Sequence, residues 1–287
     1  MKKNRSQKTG VIEHLFHQNW DAKAKKLKKS LITMTDVQEA IRHSNKVLGS
    51  TLSDRNVANF MKDIVRGGSA SNNWPDSLKR LRYTAMQRTG KGDVFEFVKY
   101  RTGQTEPFPD LYVPNQKTTR HKIESVSMSL EAKKLGRADE AWSIQTAVNL
   151  RIIETHLAIY SKLHVVQVSH LQMSVKLKST EIDGLFLATC REKDGRLTQT
   201  LVTCEVKQSR ERILADQIVA QAKAALISTH AALGLDLVVP IGLRVIKGLG
   251  FHVVEFEPVT REESLTLDEL KVASEAVYEL EPTVRGI

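Results

Sequence analysis

Residues 181–208 place acids where a strand is normally apolar, and this constrains the fold more than any other stretch. Two apolar runs, Glu181 through Thr189 and Gln199 through Lys207, flank a tight turn. Asp183 interrupts the first run, and Glu205 and Lys207 interrupt the second. Side chains two apart on a strand share a face, so Glu205 and Lys207 point one way and Cys204 and Val206 the other. Asp194-Gly195 signals a hairpin. A two-residue turn would set Asp183 opposite Val206, on the wrong face. A three-residue loop (Lys193, Asp194, Gly195), with Gly195 left-handed in a bulge, pairs Glu192 with Arg196 and sets Asp183 opposite Glu205. We expect the three-residue loop. Charges on a buried sheet are costly unless a counter-charge or a metal compensates them. Two carboxylates beside an ammonium suit a divalent cation and a positioned nucleophile.

The chain around this hairpin reads as an α/β unit, a mixed β-sheet flanked by helices. A long helix is expected from Asp139 to about Lys162, then strands over 164–169, 173–178, 181–189 and 199–207. A helix over 211–232, strands over 235–245 and 251–256, and an amphipathic helix over 267–278 complete it. The Pro-rich segment from Pro107 to Asn115 marks the domain boundary, giving 1–106, a linker over 107–119, and 120–287.

The front segment reads as small and mainly helical. Val11 to Trp20 with the following lysines (Lys23, Lys25, Lys26, Lys28, Lys29) predict a first helix, and residues 36–48, capped by Thr33 or Thr35, a second. Ser53 caps a third over 53–66, whose buried stripe is Val57, Phe60, Met61 and Ile64. Arg55, Asn56, Asn59, Lys62 and Arg66 fall on its other side. Residues 83–98 form a hairpin with a basic tip at Gly90-Lys91-Gly92. Three helices and a hairpin resemble a winged-helix domain. That resemblance puts 53–66 in a DNA major groove, with Arg88 and Lys91 on the wing near phosphates. The plainer alternative is a helical subdomain whose polar face meets water.

Charge divides the same way. The net charge is +10, with 23 Lys and Arg against 11 Asp and Glu over residues 1–120, and 20 against 22 beyond. A basic front on a near-neutral rear suits a polyanion-binding module joined to something else; a solvated basic face is the alternative. No apolar run approaches the roughly 20 residues of a membrane span, and no signal-peptide core follows the basic N-terminus. With two cysteines, Cys190 and Cys204, the chain reads as cytoplasmic with no membrane association. The nine histidines show no zinc spacing, and no glycine-rich phosphate loop is present.

Helix, strand, Asp-bearing strand, a hairpin partner with Glu205-Val206-Lys207, then a helix resembles the PD-(D/E)xK nuclease superfamily, which includes most type II restriction endonucleases. Ile182 stands where the family often has proline. The resemblance, over about residues 138–256, implies Mg²⁺ (or Mn²⁺) held by Asp183, Glu205 and Val206. It also implies that Lys207 orients the attacking water. A further acid often comes from the preceding helix: Glu154 is expected there, Glu140 better serving the helix dipole. Gln208 is a candidate phosphate contact, and Gln217 and Gln221, one turn apart on the next helix, could likewise touch a phosphate or brace a ligand, although a glutamine on a helix is usually solvated. The reading is thus a Mg²⁺-dependent endonuclease acting on double-stranded DNA, a homodimer with a companion DNA methyltransferase. Same-superfamily repair, junction-resolving or transposon-end nucleases, and a non-catalytic winged-helix DNA-binding protein, are the alternatives.

Overall fold

The computed structural model describes residues 6–61, 64–65, 70–88, 92–177, 180–267 and 269–287. Its contacts divide the chain into two units, Met1–Asp110 and Leu111–Ile287. No helix among the described residues is long and apolar enough to cross a membrane.

In the first unit, α1 (Lys8–Asn19) buries Val11, Ile12, Leu15 and Phe16. It stops before the lysine run, which instead turns through a two-rung hairpin of β1 (Trp20–Asp21) and β2 (Lys26–Leu27). Asp21 Oδ1 accepts the N–H groups of Lys23 and Ala24, each at 2.9 Å, and thereby competes with continued helix. After β3 (Leu31–Thr33), Thr33 opens α2 (Met34–Leu48) with a reciprocal capping box to Asp36. The third helix expected over 53–66 does not form as read. Its described part is a 3-10 turn, Val57–Asn59, with Phe60 N–H bonded back to Val57, and then α-helical residues at Ile64 and Val65, where Val65 N–H bonds to the Met61 carbonyl as in a helix. The apolar stripe is nonetheless buried: Val57, Phe60, Met61 and Ile64 all face the core. Short helices α3 (Ala70–Asn73) and α4 (Asp76–Arg80) lead to the hairpin of β4 (Tyr83–Gln87) and β5 (Asp93–Lys99). β3 joins it, giving an antiparallel sheet ordered β3-β5-β4. Phe16, Trp74, Tyr83, Phe95 and Phe97 pack edge-on or tilted beneath it, and Trp74 Nε1 donates to the Tyr83 carbonyl at 2.8 Å.

The second unit carries one mixed sheet ordered β6-β13-β11-β10-β9-β8-β7, with β12 paired to β10. Its strands are β6 (Thr119–Glu124), β7 (Val165–Lys176), β8 (Glu181–Arg191), β9 (Leu197–Lys207), β10 (Leu237–Ile246), β11 (Gly250–Phe256), β12 (Val259–Thr260) and β13 (Val272–Glu281). The β9–β10 and β6–β13 pairs are parallel and the others antiparallel. A short helix, α5 (Leu130–Leu135), precedes α6 (Glu140–Asn149) and α7 (Ile152–Tyr160). α6 and α7 cover one face through Trp142, Ile144, Ile153 and Leu157 against Val202, Cys204 and Val206. α8 (Ala215–Leu233) covers the other through Ile218, Ala222 and Leu226 against Leu185, Leu201 and Val238. β9 is therefore buried on both faces along its second half, the reason it reads as a continuous apolar run.

Three expectations for this unit fail. The helix over 139–162 is two helices, broken where Arg151 turns left-handed at φ 52°. The strands expected over 164–169 and 173–178 are one bulged strand, β7. The amphipathic helix expected over 267–278 is instead β13, hydrogen-bonded to β11 on one side and β6 on the other. Two ladders and the burial of Ala276, Val277, Tyr278 and Leu280 override a spacing that suited either structure.

Candidate active site on the β8–β9 hairpin

The loop has three residues. Glu192 N–H donates to the Arg196 carbonyl at 2.8 Å, Gly195 N–H to Glu192 at 2.9 Å, and Gly195 lies at φ +85°, open to glycine at no steric cost. The ladder runs from Arg191 opposite Leu197 to Gly184 opposite Cys204. One residue further, the same register sets Asp183 opposite Glu205.

The acids sit where the ladder ends. There Asp183 Oδ2, rather than a strand carbonyl, accepts the Val206 N–H at 2.7 Å. Gln221 on α8 spans the opening: its Nε2 donates to the Glu181 carbonyl at 2.8 Å and to Glu205 Oε2. Far from being solvated, Gln221 is buried. Gly184 lets α6 approach, since a Cβ there would lie 2.7 Å from Ile144 Cδ1.

Lys207 is 1% exposed, and its ammonium has three acceptors for its three donors. They are Glu205 Oε1, Glu140 Oε1 at 3.0 Å and the Val206 carbonyl at 3.0 Å. The helix acid at the site is thus Glu140, not Glu154. Asp139 caps α6 by accepting from Trp142 N–H, which leaves Glu140 available to reach the strand end. Glu154 lies on α7 with Oε2 buried and without a hydrogen-bond partner, and burial raises its carboxyl above the usual range. Gln208 Nε2 donates to Ser143 Oγ at 2.8 Å, tying the end of β9 to α6.

Two forces shape the electrostatics. Burial first, then Glu205, pushes the Asp183 carboxyl up to about 8, against the pull of the Val206 N–H and Lys207. Burial disfavours the Lys207 ammonium, but Glu205 and Glu140 outweigh it and raise its pKa. Lys207 therefore stays protonated, while the acids hold more negative potential than one ammonium balances.

Among the described residues no group of three or more His, Cys, Asp or Glu side chains forms a ready metal cluster. The candidate donors are oxygens only: the Asp183 and Glu205 carboxylates and the Val206 carbonyl, which accepts from Lys207. Such a set fits Mg²⁺, which commonly takes one or two carboxylates and keeps several waters.

Among the described residues the front-unit candidates are not gathered in this way. Arg55 and Asn56 are exposed in an irregular segment before the 3-10 turn that contains Asn59. Arg88 is forked onto Glu96 Oε2 at 3.0 and 2.6 Å, so it is held as an ion pair rather than offered as a wing cation. Lys62, Arg66 and Lys91 lie outside the described residues. No protein-family model, curated protein or solved structure matches the chain.

Proposed function

We propose that the chain is a metal-dependent endonuclease that hydrolyses DNA phosphodiester bonds, using Mg²⁺ with Mn²⁺ as a substitute. The observation that carries this reading is the convergence of Asp183, Glu205 and Lys207 where the β8–β9 ladder opens. The element order implied by the resemblance also recurs, as α6–α7, β7, β8, β9 and α8. Asp183, Glu205 and the Val206 carbonyl would hold the cation. When bound, it neutralises the phosphate, acidifies a water and stabilises the leaving oxygen.

The residues of the chain divide the remaining work. Gln221 fixes the Glu205 carboxylate against α8, so this ligand is set before substrate arrives. Lys207, protonated, acts as a donor to the attacking water or a non-bridging phosphate oxygen rather than as the base. Glu140 is the more exposed of the two acids on Lys207, and is the partner an incoming phosphate displaces. The basic front unit supplies general affinity for DNA. The specific form we favour is type II restriction, which implies a homodimer to cut both strands of a symmetric site and a companion methyltransferase to protect host DNA.

Supercoiled plasmid incubated with Mg²⁺, Mn²⁺, Ca²⁺ or chelator tests the reading. Discrete linear fragments with Mg²⁺ or Mn²⁺ alone support it, and cutting of branched substrates only would point to junction resolution. A chain that binds DNA but nicks neither plasmid nor branched nor single-stranded DNA would sink it.

A further inference from the structure

Beside the end of β9 the second unit has an open cavity of about 870 Å³. Lys133, Lys134, Arg210, Lys247 and Arg285 line it together with Gln208, and no Asp or Glu side chain does. These cations come from α5, the loop after β9, the β10–β11 turn and the segment after β13, so the fold rather than one run of sequence gathers them.

Lys133 is the telling member. It is 8% exposed, yet its ammonium has no hydrogen-bond or ion-pair partner among the described residues. The other buried lysine, Lys207, has three acceptors. The Lys133 ammonium is not among the fully buried side-chain atoms that lack a partner, so its stem is covered while its charge stays open to the cavity, where an anion can meet it. The remaining cations stand at the rim: Lys134, Arg210 and Lys247 are exposed, and Arg285 donates to the Lys134 carbonyl at 3.0 Å. Gln208, next to Lys207 in the chain, joins the cavity to the catalytic strand end.

We propose that this cleft seats the sugar-phosphate backbone of a DNA strand flanking the scissile bond, with Lys133 under one phosphate and the rim cations along its neighbours. The cavity lining sets its position beside Gln208, and its occupant is taken from the nuclease reading, on which the proposal rests. Single-sign charge spread over several elements suits a chain of phosphates, whereas a lone phosphate needs only part of it. The front unit then contributes affinity, and this cleft sets where the strand runs past Lys207.

The test is anisotropy of a fluorescein-labelled DNA duplex, measured with Ca²⁺ over a range of NaCl, so that no cleavage is required. The combined variant Lys134→Ala, Arg210→Ala, Lys247→Ala, all exposed positions, should bind roughly tenfold to a hundredfold more weakly at physiological salt. Its log–log salt slope should become shallower by about 1 for each cation that meets a phosphate. Lys133→Met, which keeps the stem but not the charge, should give the same direction of change. Lys162→Ala, whose ammonium pairs with Glu257 elsewhere in this unit, should leave the slope unchanged. An unaltered slope in both cleft variants overturns the proposal. So does competition by dAMP or inorganic phosphate at concentrations matching the DNA, which would make the occupant a small anion. Wild-type protein that never cuts, yet shows the cleft-dependent slope, would refute the nuclease reading alone. Cutting with an unchanged slope would refute the cleft alone.

Discussion

Two buried polar clusters lie on the one large sheet, and they are built on opposite principles. At the β11–β13 end, His156 of α7 is fully buried between Tyr278, 3.0 Å from Nδ1, and Ser274, 2.9 Å from Nε2. Ser274 donates its only proton to Glu255 at 2.8 Å, so it accepts from the Nε2–H of a neutral imidazole, whose Nδ1 accepts from Tyr278. Ser161 donates to the other Glu255 oxygen at 2.7 Å. Although His156 Nε2 lies 3.7 Å from Glu255, the serine hydroxyl mediates between them and no charged pair is required. Burial, with His252 and His121 adding to it, holds His156 down at about 3. At the β8–β9 end, three acids share one ammonium, and Asp183 is driven up instead. A network whose donors and acceptors are matched rigidifies a core; an excess of carboxylate over ammonium is a charge that a bound cation would offset.

The sharpest way to break this contrast is to remove Lys207. Lys207→Ala should lower cleavage by roughly 10²–10³-fold while metal binding, followed by calorimetry with Mn²⁺, persists. His156→Gln should leave cleavage within about twofold. If both variants lost activity alike, the division between a working and a structural cluster would be wrong.

Stability should respond in the reverse pattern. His156→Ala strands the Tyr278 and Ser274 hydroxyls and leaves a void, and should cost about 2–4 kcal/mol in denaturant unfolding. The same cluster sets a pH dependence. The folded His156 pKa lies near 3, below the unfolded value of 6.5, so protons favour the unfolded chain between them. Its contribution is complete above pH 6.5 and fades as pH falls toward 3, by roughly 2 kcal/mol down to pH 4.5. Burial raises the Glu255 carboxyl, which acts with the opposite sign, so the difference between wild type and His156→Gln across that window is the quantity to measure. A pH-independent difference would mean His156 is charged in the fold.

The smallest change in stability expected is also the most diagnostic. Asp183→Asn keeps an oxygen for the Val206 N–H and removes the repulsion with Glu205. It should abolish cleavage and yet stabilise the metal-free protein by roughly 1–2 kcal/mol at pH 7. A loss of stability would show that Asp183 is part of the structural core.

The site was legible to the extent that it is written in local counting. The Asp-Gly turn and the spacing of Asp183 and Glu205 are relations along one hairpin, and the three-residue loop follows from them. Glu140 was misjudged, and Gln221 was left undecided between bracing a ligand and meeting water, because both roles depend on where two helices dock. The sign that Glu140 was spare, with Asp139 already able to cap, was present but weak. The cleft around Lys133 joins segments more than 100 residues apart and leaves no motif at all. In the fold, apolar burial was legible at Val57, Phe60, Met61 and Ile64, but not the 3-10 turn at Val57–Asn59 that interrupts the expected helix. β6 was missed because Thr119–Glu124 is short and polar, an edge strand defined by its partner β13. The break at Arg151 has no glycine or proline to announce it.

The loop at Gly195 has a further consequence, which concerns how this chain can vary. Surface loops ordinarily absorb insertions and deletions without harm. This one sits about nine residues, or roughly 30 Å, from Asp183 along β8, and each ladder rung transmits its parity. Losing one residue would turn every side chain of one strand to the opposite face relative to its partner, separating the two acids while leaving the loop itself comfortable. A net change of two would keep the match. Length change at this tip is therefore tolerated in steps of two, and a distant, solvent-exposed turn acts as the gauge that sets Asp183 against Glu205.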